Sequence, residues 1–444
     1  MRSLPQLLAL SIVAAVGAAS AASPALAAPP SSSTNWTAAH KLSGRHYIAD
    51  PKLAIDGAGA GIAVWQQPRA VGVGRVGYVA TRDAGGAWSA ARCLTVAGRS
   101  SDAIFAGIGG RGRDVAVWVA EPTNGGTKHL LWAQRRPGHA WTAPVRVPGQ
   151  TVVPETFFFS SSGWGVIAYE NHGVGYVRVL TPRGKWKPDA RVTQLVPKVH
   201  HDAVGTHLNL RAVISSTGAV TTSWVTITVD TRSRTSGDYQ RGGLSATGTR
   251  LAPVTVAKNL SAYGSTPSLT ASASGDSTAL NWDNASNHET VAFRLAGGSW
   301  QRHVAPIDNG LSAPATSAVK VALSDHRLTL WWQSWTDTVA TLYQARYDGS
   351  SWGEPSAIAH YDDTGPTSLA EYGALSDQLE VLGWTQFQVV SPEGHHDSYV
   401  RTTTATGSDD LTLRSKSVIR GVAAAGRHAA VVWTGNGGLF VQTR

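Results

Sequence analysis

A short strand-like segment ending in an aromatic residue recurs eight times along this chain. The copies are AVW at 63–65, AVW at 116–118, IAY at 167–169, TSW at 222–224, LNW at 280–282, LWW at 330–332, LGW at 382–384 and VVW at 431–433. Successive aromatics lie 53, 51, 55, 58, 50, 52 and 49 residues apart. A period of that size marks an array of similar supersecondary units, each unable to bury its apolar face alone.

Each unit has the same internal order. An alternating segment and a Gly- or Ser-rich turn precede the aromatic, as in PKLAIDGAGAGIAVW (51–65) and SLTASASGDSTALNW (268–282). Another alternating run follows, then a turn and a second tryptophan, as in VGYVATRDAGGAWSA (76–90) and LLWAQRRPGHAWTAP (130–144). Period-2 alternation without helical periodicity gives about four short strands per unit. The expected fold is therefore all-β, an eight-bladed β-propeller with four antiparallel strands per blade; seven blades is the alternative if the long unit between 224 and 282 is irregular. The last unit has only three strands (VIRGVAAA, HAAVVW, GLFVQTR). The segment NWTAAHKL (35–42) parallels WSAARCL (88–94), so an N-terminal strand is expected to complete the last blade and close the ring.

Residues 1–27 contain one charge, Arg2, an apolar run at 7–22 and the small-x-small signal Ala25-Leu26-Ala27, the pattern of a secretory signal peptide. Residues 28–34 (APPSSST) read as a flexible lead-in, and residues 35–444 as a single propeller domain. Secretion to the extracellular space is expected, with no transmembrane segment after signal removal. A single cysteine, Cys93, excludes an internal disulfide, and its apolar-alternating setting predicts a buried, inert thiol. The formal charge of +9 is spread as scattered arginines. That pattern favours acidic glycans or cell-envelope polymers as partners and argues against specific nucleic-acid binding, which needs a basic cluster interleaved with aromatics. A monomer is expected, and the sequence names no cofactor.

The segment TRDAGGAW (81–88) fits Ser/Thr-x-Asp-x-Gly-x-x-Trp, and RRPGHAW (135–141), PRGKW (182–186), RLAGGSW (294–300) and RYDGSSW (346–352) occupy the same place in other units. Their shared Gly and Trp mark a hairpin between third and fourth strands, where Asp83 is expected to accept hydrogen bonds from the turn backbone. On these residues the chain resembles secreted, sialidase-like Asp-box (BNR-type) β-propellers. The resemblance implies the architecture. Sialidases of this kind have six blades and a Phe/Tyr-Arg-Ile-Pro motif. The nearest text here, Phe293-Arg294-Leu295-Ala296, lacks the proline, so the resemblance does not carry sialidase activity.

Propellers bind ligands at the channel end that bears the loops between second and third strands and between blades. Those loops here hold carboxylates, histidines and aromatics, and the catalytic candidates among them are Glu121, Glu170, His172, Asp283 and Asp337. A glycosidase needs two carboxylates facing across its substrate, and a uronate lyase needs His or Tyr as acid and base with a cation on the acid group. Ligand-binding candidates are Trp335 as a sugar-stacking platform, with His201, Asp202, Arg241, Tyr372 and His288; Arg241 ends a long segment (226–241) expected to lie over the channel mouth. The His200-His201-Asp202 and His360-Tyr361-Asp362-Asp363 clusters lack the spacing of zinc or calcium motifs, so no metal is assigned. Two functions of different class follow: a secreted, non-enzymatic propeller that binds a glycan or cell-envelope partner, and a polysaccharide lyase or glycoside hydrolase acting on an acidic polysaccharide.

Overall fold

The computed structural model describes residues 35–44, 47–69, 74–95, 99–109, 112–122, 126–148, 154–193, 207–229, 235–261, 267–283, 289–304, 320–335, 339–362, 369–388, 395–413 and 416–444. They form eight four-stranded antiparallel sheets, and no helix is present among them. Blades 1 to 8 begin with the strands Ala49–Ile55, Arg99–Gly109, Thr156–Phe159, His207–Ile214, Ser268–Ala271, Lys320–Leu323, Leu369–Leu375 and Val418–Ala425. Each first strand packs beside the first strand of the next blade, and Val418–Ala425 returns to Ala49–Ile55, so the ring is closed. The protein is an eight-bladed β-propeller, and the long 224–282 unit belongs to a complete four-stranded blade 4, whose third and fourth strands shift register three times, and to the start of blade 5.

Burial explains the sequence repeat. Second strands are sandwiched between neighbouring blades, so both of their faces are covered. Ile62, Ala63, Val64 and Trp65, like Val115 to Ala120, are therefore apolar without alternation and at most 1% exposed. All eight repeat aromatics are buried. In five blades the repeat aromatic stacks on a ring directly opposite it in the third strand: Trp65 on Tyr78, Tyr169 on Tyr176, Trp332 on Tyr343, Trp384 on Tyr399 and Trp433 on Phe440, with centroids 5.5–5.8 Å apart. Such a pair adds about 0.5–1.5 kcal/mol beyond burial. Close approach of blades needs missing side chains in two places. A Cβ on Gly107 would collide with Phe159 of blade 3, and one on Gly373 with Trp331 of blade 6.

The N-terminal strand His40–Ser43 pairs with Gly438–Thr443, His40 opposite Val441, and supplies the fourth strand of blade 8. Thr37 N donates to Thr443 O at 2.8 Å, and Trp36 is buried with Leu379, Val381, Ile419 and Trp433. The opening strand thus joins the two chain ends through backbone pairing and an indole. Trp332→Ala, which removes both burial and a stacked pair, is expected to cost about 3–5 kcal/mol in urea unfolding.

The TRDAGGAW segment is a hairpin. Gly86 N donates to Asp83 O, Gly85 has φ +68°, and Trp88 forms a bridge with Arg82 that starts the fourth strand. Trp186 and Trp352 make the same bridge in blades 3 and 6. The side chain of Asp83 departs from expectation: its Oδ1 accepts from Arg135 Nη2 of blade 2 at 2.6 Å. The role expected of Asp83 is filled by Asp348, whose Oδ1 accepts from the Ser350 and Ser351 backbone N–H groups and whose pKa is thereby lowered to about 2.

Cys93 corrects a second expectation, because it is exposed. It lies in the two-residue outermost strand Arg92–Cys93, opposite Tyr78, with no fifth strand beyond to cover it. Ellman's reagent is expected to titrate one thiol per chain without denaturant; a thiol that reacts only after unfolding would contradict this placement.

Candidate functional site

The central channel divides into two chemically different parts. Toward the turns that join first and second strands lies a cavity of about 340 Å³, lined by apolar inner-strand segments such as Leu53–Ile55, Ala106–Ile108, Phe157–Phe159, Val321–Leu323 and Ala423–Ala425. The opposite mouth, where blade connections arrive, is polar. There, first strands carry β-bulges, with register shifts at Ala49/Lys52, Ser101/Ile104, Leu208/Arg211 and Ile419/Gly421. A bulge leaves one residue outside the ladder. The residues so released, Asp50, Asp102, Asn209 and Arg420, are all exposed, and Asp50 and Asn209 have φ of 46° and 55°.

Around this mouth the expected residues fall into separate groups. Glu121 is the penultimate residue of the second strand of blade 2, Arg113–Pro122, where Lys128 bridges it at 3.3 Å and Asp102 at 2.6 Å. Those hydrogen bonds, Asp102's first, outweigh desolvation and raise the Lys128 pKa. Glu170 and His172 belong to a tight hairpin in blade 3: Asn171 pairs with Val174 across His172 and Gly173, whose φ values of 51° and 74° define a two-residue turn of the primed kind. His172 is thus an exposed hairpin tip. Tyr372 sits in the first strand of blade 7, opposite Gly383, and is packed partly into the core shared with blade 8.

Arg241 does not lie at the mouth. The long 226–241 segment is mostly strand, because the second strand of blade 4 runs to Val229 and the third spans Thr235–Leu244. Arg241 lies within that third strand, opposite Ser223, and its guanidinium stacks 4.3 Å from the ring centroid of Trp300 in blade 5. Desolvation, then the nearby Arg294, lower its pKa. Asp283 and Trp335 are the last residues of the second strands of blades 5 and 6 and are placed by backbone only. His201, Asp202, His288 and Asp337 lie outside the described residues.

Two residues that sequence reasoning passed over complete the mouth. Glu155 immediately precedes the first strand of blade 3, its N–H donating to Ala168 O at 2.8 Å. Its side chain is exposed at the mouth and only partly desolvated by the strands around it. Desolvation, opposed by a hydrogen bond from the Leu210 backbone and reinforced by Glu170, pushes its pKa up to about 7; Arg211 acts in the lowering direction. Arg211 Nε is buried with no hydrogen-bond partner among the described residues. Glu155, Glu170 and Arg211 therefore form one electrostatically coupled group where blades 3 and 4 meet. The signal for Glu155 was its place in the repeat, since VPETFFF aligns it with the bulges of other blades. Among the described residues no cluster of three His, Cys, Asp or Glu is arranged to hold a metal ion.

No protein-family model matches this sequence, and no curated protein matches it. Solved structures resemble it at the level of fold. A Dos1 propeller has a TM-score of 0.49 at 9% identity, covering 92% of this chain and 94% of that one. An ulvan lyase bound to -[GlcA(1-4)Rha3S]- has a TM-score of 0.45 at 12% identity, covering 79% and 93%. The β-propeller domain of the Trilobed protease from Pyrococcus furiosus has a TM-score of 0.44 at 9% identity, covering 78% and 93%. These likenesses concern the fold alone, and the chain is a β-propeller.

The raised pKa of Glu155 carries a stability consequence. Between its ordinary value of 4.5 and about 7 the folded state keeps a proton that the unfolded chain has released. This stabilisation is complete below pH 4.5 and is lost as pH rises through about 7. Asp114, 1% exposed and raised by burial from 3.8 to about 7 despite its bond to Arg135, acts in the same direction. Urea unfolding at pH 5 and pH 8 is expected to show lower stability at pH 8. Glu155→Gln should reduce that difference and Glu155→Gln with Asp114→Asn should reduce it further.

Proposed function

We propose that this protein is exported, its residues 1–27 serving as the signal, and that it binds a glycan or cell-envelope polymer at the polar mouth of its channel without turning it over. The observation that carries this reading is the spread of polar groups around the mouth. Asp50, Asp102, Asn209 and Arg420 come from four different blades, Glu121 is tied to Lys128, and His172 stands on a hairpin tip. Such a rim offers many hydrogen-bond acceptors to hydroxyl groups over a wide surface, which suits recognition of an extended sugar chain. Kinship with Asp-box propellers belongs to the same proposal and is supported by the TRDAGGAW hairpin.

A second reading, a lyase or hydrolase acting on an acidic polysaccharide, is supported by one feature. Desolvation pushes the Glu155 pKa up to about 7, toward the range where a general acid or base works best, and Glu170 and Arg211 act on it. An acid-base carboxylate, a partner carboxylate and a cation are ingredients of either reaction.

One experiment separates the two. The protein, incubated with a panel of neutral and acidic polysaccharides, is followed by native affinity electrophoresis and by release of reducing ends and unsaturated uronates. The expected outcome is retardation by at least one polymer with no product from any. Steady product release that disappears in Glu155→Gln would replace the binding reading with the enzymatic one.

A further inference from the structure

The rim between blades 4 and 5, away from the channel mouth, holds a cationic group with no carboxylate partner among the described residues. Arg241 and Arg294 both lie over the one indole of Trp300, at 4.3 and 5.8 Å from its centroid. Arg302 lies 5.4 Å from the ring of Trp282. Both tryptophans belong to the apolar seam in which Val225 and Tyr239 of blade 4 meet Leu280 and Ala292 of blade 5. Among the described residues no carboxylate pairs with any of the three arginines. Arg294 instead acts on Arg241 as a like charge.

Four other arginines are paired with carboxylates. Arg135 is held by Asp83 and Asp114, Arg178 by Asp189, Arg346 by Glu380 and Arg401 by Asp410. Two guanidiniums gathered on one ring, with no acid between them, repel each other until an anion arrives. Stacking on an indole leaves the in-plane N–H groups of a guanidinium free at its edge, the geometry that receives a carboxylate or sulfate in bidentate fashion. The wall beside them is apolar and open. Val254, directly opposite Arg241 in the outermost strand of blade 4, is 48% exposed, and Leu251 is 47% exposed.

We propose that this rim cleft is a second binding site, which takes the acid groups of an acidic polysaccharide on Arg241, Arg294 and Arg302 and its sugar faces on Val254 and Leu251. The anion chemistry is common to sulfate esters and uronates. A nucleic acid fits less well, because a guanidinium already covers Trp300 at 4.3 Å and the open contacts are aliphatic, leaving no ring on which a base can stack. The site stands on residues separate from those of the channel mouth.

The test is titration of the full-length protein with dextran sulfate, polygalacturonate, neutral dextran and a twenty-residue oligothymidylate at fixed salt. Arg241→Gln with Arg294→Gln is expected to weaken binding of dextran sulfate, polygalacturonate or both by about tenfold or more. The exposed Arg302→Gln should weaken it by a smaller factor with the thermal midpoint unchanged, which guards against misfolding of the double variant. Arg136→Gln, an equal loss of charge on a distant exposed turn, should leave affinity unchanged. Whichever acidic polymer is lost identifies sulfate or carboxylate as the group bound. Equal losses in Arg136→Gln and the rim variants, no loss in the rim variants, absence of binding to both acidic polymers, or tighter rim-dependent binding of the oligothymidylate would each overturn the proposal. Because Glu155 is untouched, product release from the mouth is scored independently.

Discussion

Everything in this molecule depends on one contact made eight times, an aromatic ring within a second strand buried between two blades. A four-stranded sheet of this size covers only one side of such a ring, so a blade is stable only with neighbours on both sides. A linear stack would leave its two end faces wet. The ring abolishes both ends, provided that the first and last blades join. That joint is made by His40–Ser43 pairing with Gly438–Thr443 and by Trp36 entering the core beside Trp433. With one cysteine in the chain, the circle is held by burial and hydrogen bonds alone.

The repeat explains why so much of the fold is legible in the sequence. A strand buried on both faces must be apolar without alternation, so AVW and its relatives announce the second strand of each blade. The three-strand final unit and the spare N-terminal strand announce closure in the same way. Side-chain partners are less legible because they come from other blades. Asp83 lies in a turn that reads as self-contained, yet its carboxylate is taken by Arg135, 52 residues away. Cys93 sits in an alternating segment that reads as buried, but the outermost strand has no neighbour beyond it. The 226–241 segment reads as a loop because the unit is long and polar there, whereas the extra residues lengthen two strands and carry Arg241 onto Trp300.

The candidate site shows the same division. Glu121, Glu170 and His172 were found because they follow the repeat aromatic in sequence and so reach the mouth by topology. Glu155 was missed because it precedes a first strand, where the sequence shows only an ordinary Pro-Glu-Thr. Its raised pKa comes from partial desolvation and from Glu170, a neighbour in space and not in sequence. Repeat periodicity locates a position in the blade, but the electrostatic character of that position depends on three-dimensional neighbours.

Charge is also sorted by place. At the mouth both signs of charge are present: Asp50, Asp102, Glu121, Glu155 and Glu170 stand beside Arg69, Arg75, Arg99, Lys128, Arg211 and Arg420. Carboxylates accept hydrogen bonds from sugar hydroxyls but repel uronate or sulfate groups. The cleft between blades 4 and 5 differs in that its arginines gather on one indole with no carboxylate partner among the described residues. If both proposals hold, a polymer bearing acid groups is held by its anions at the rim and by its hydroxyls at the mouth. The two sets of contacts then differ in salt dependence, because ion pairs at an exposed rim are screened and neutral hydrogen bonds are not. A polymer engaging only one site cannot gain the effective concentration that two linked contacts provide, so the separation of charge along the blade wall would itself select for long, partly acidic chains.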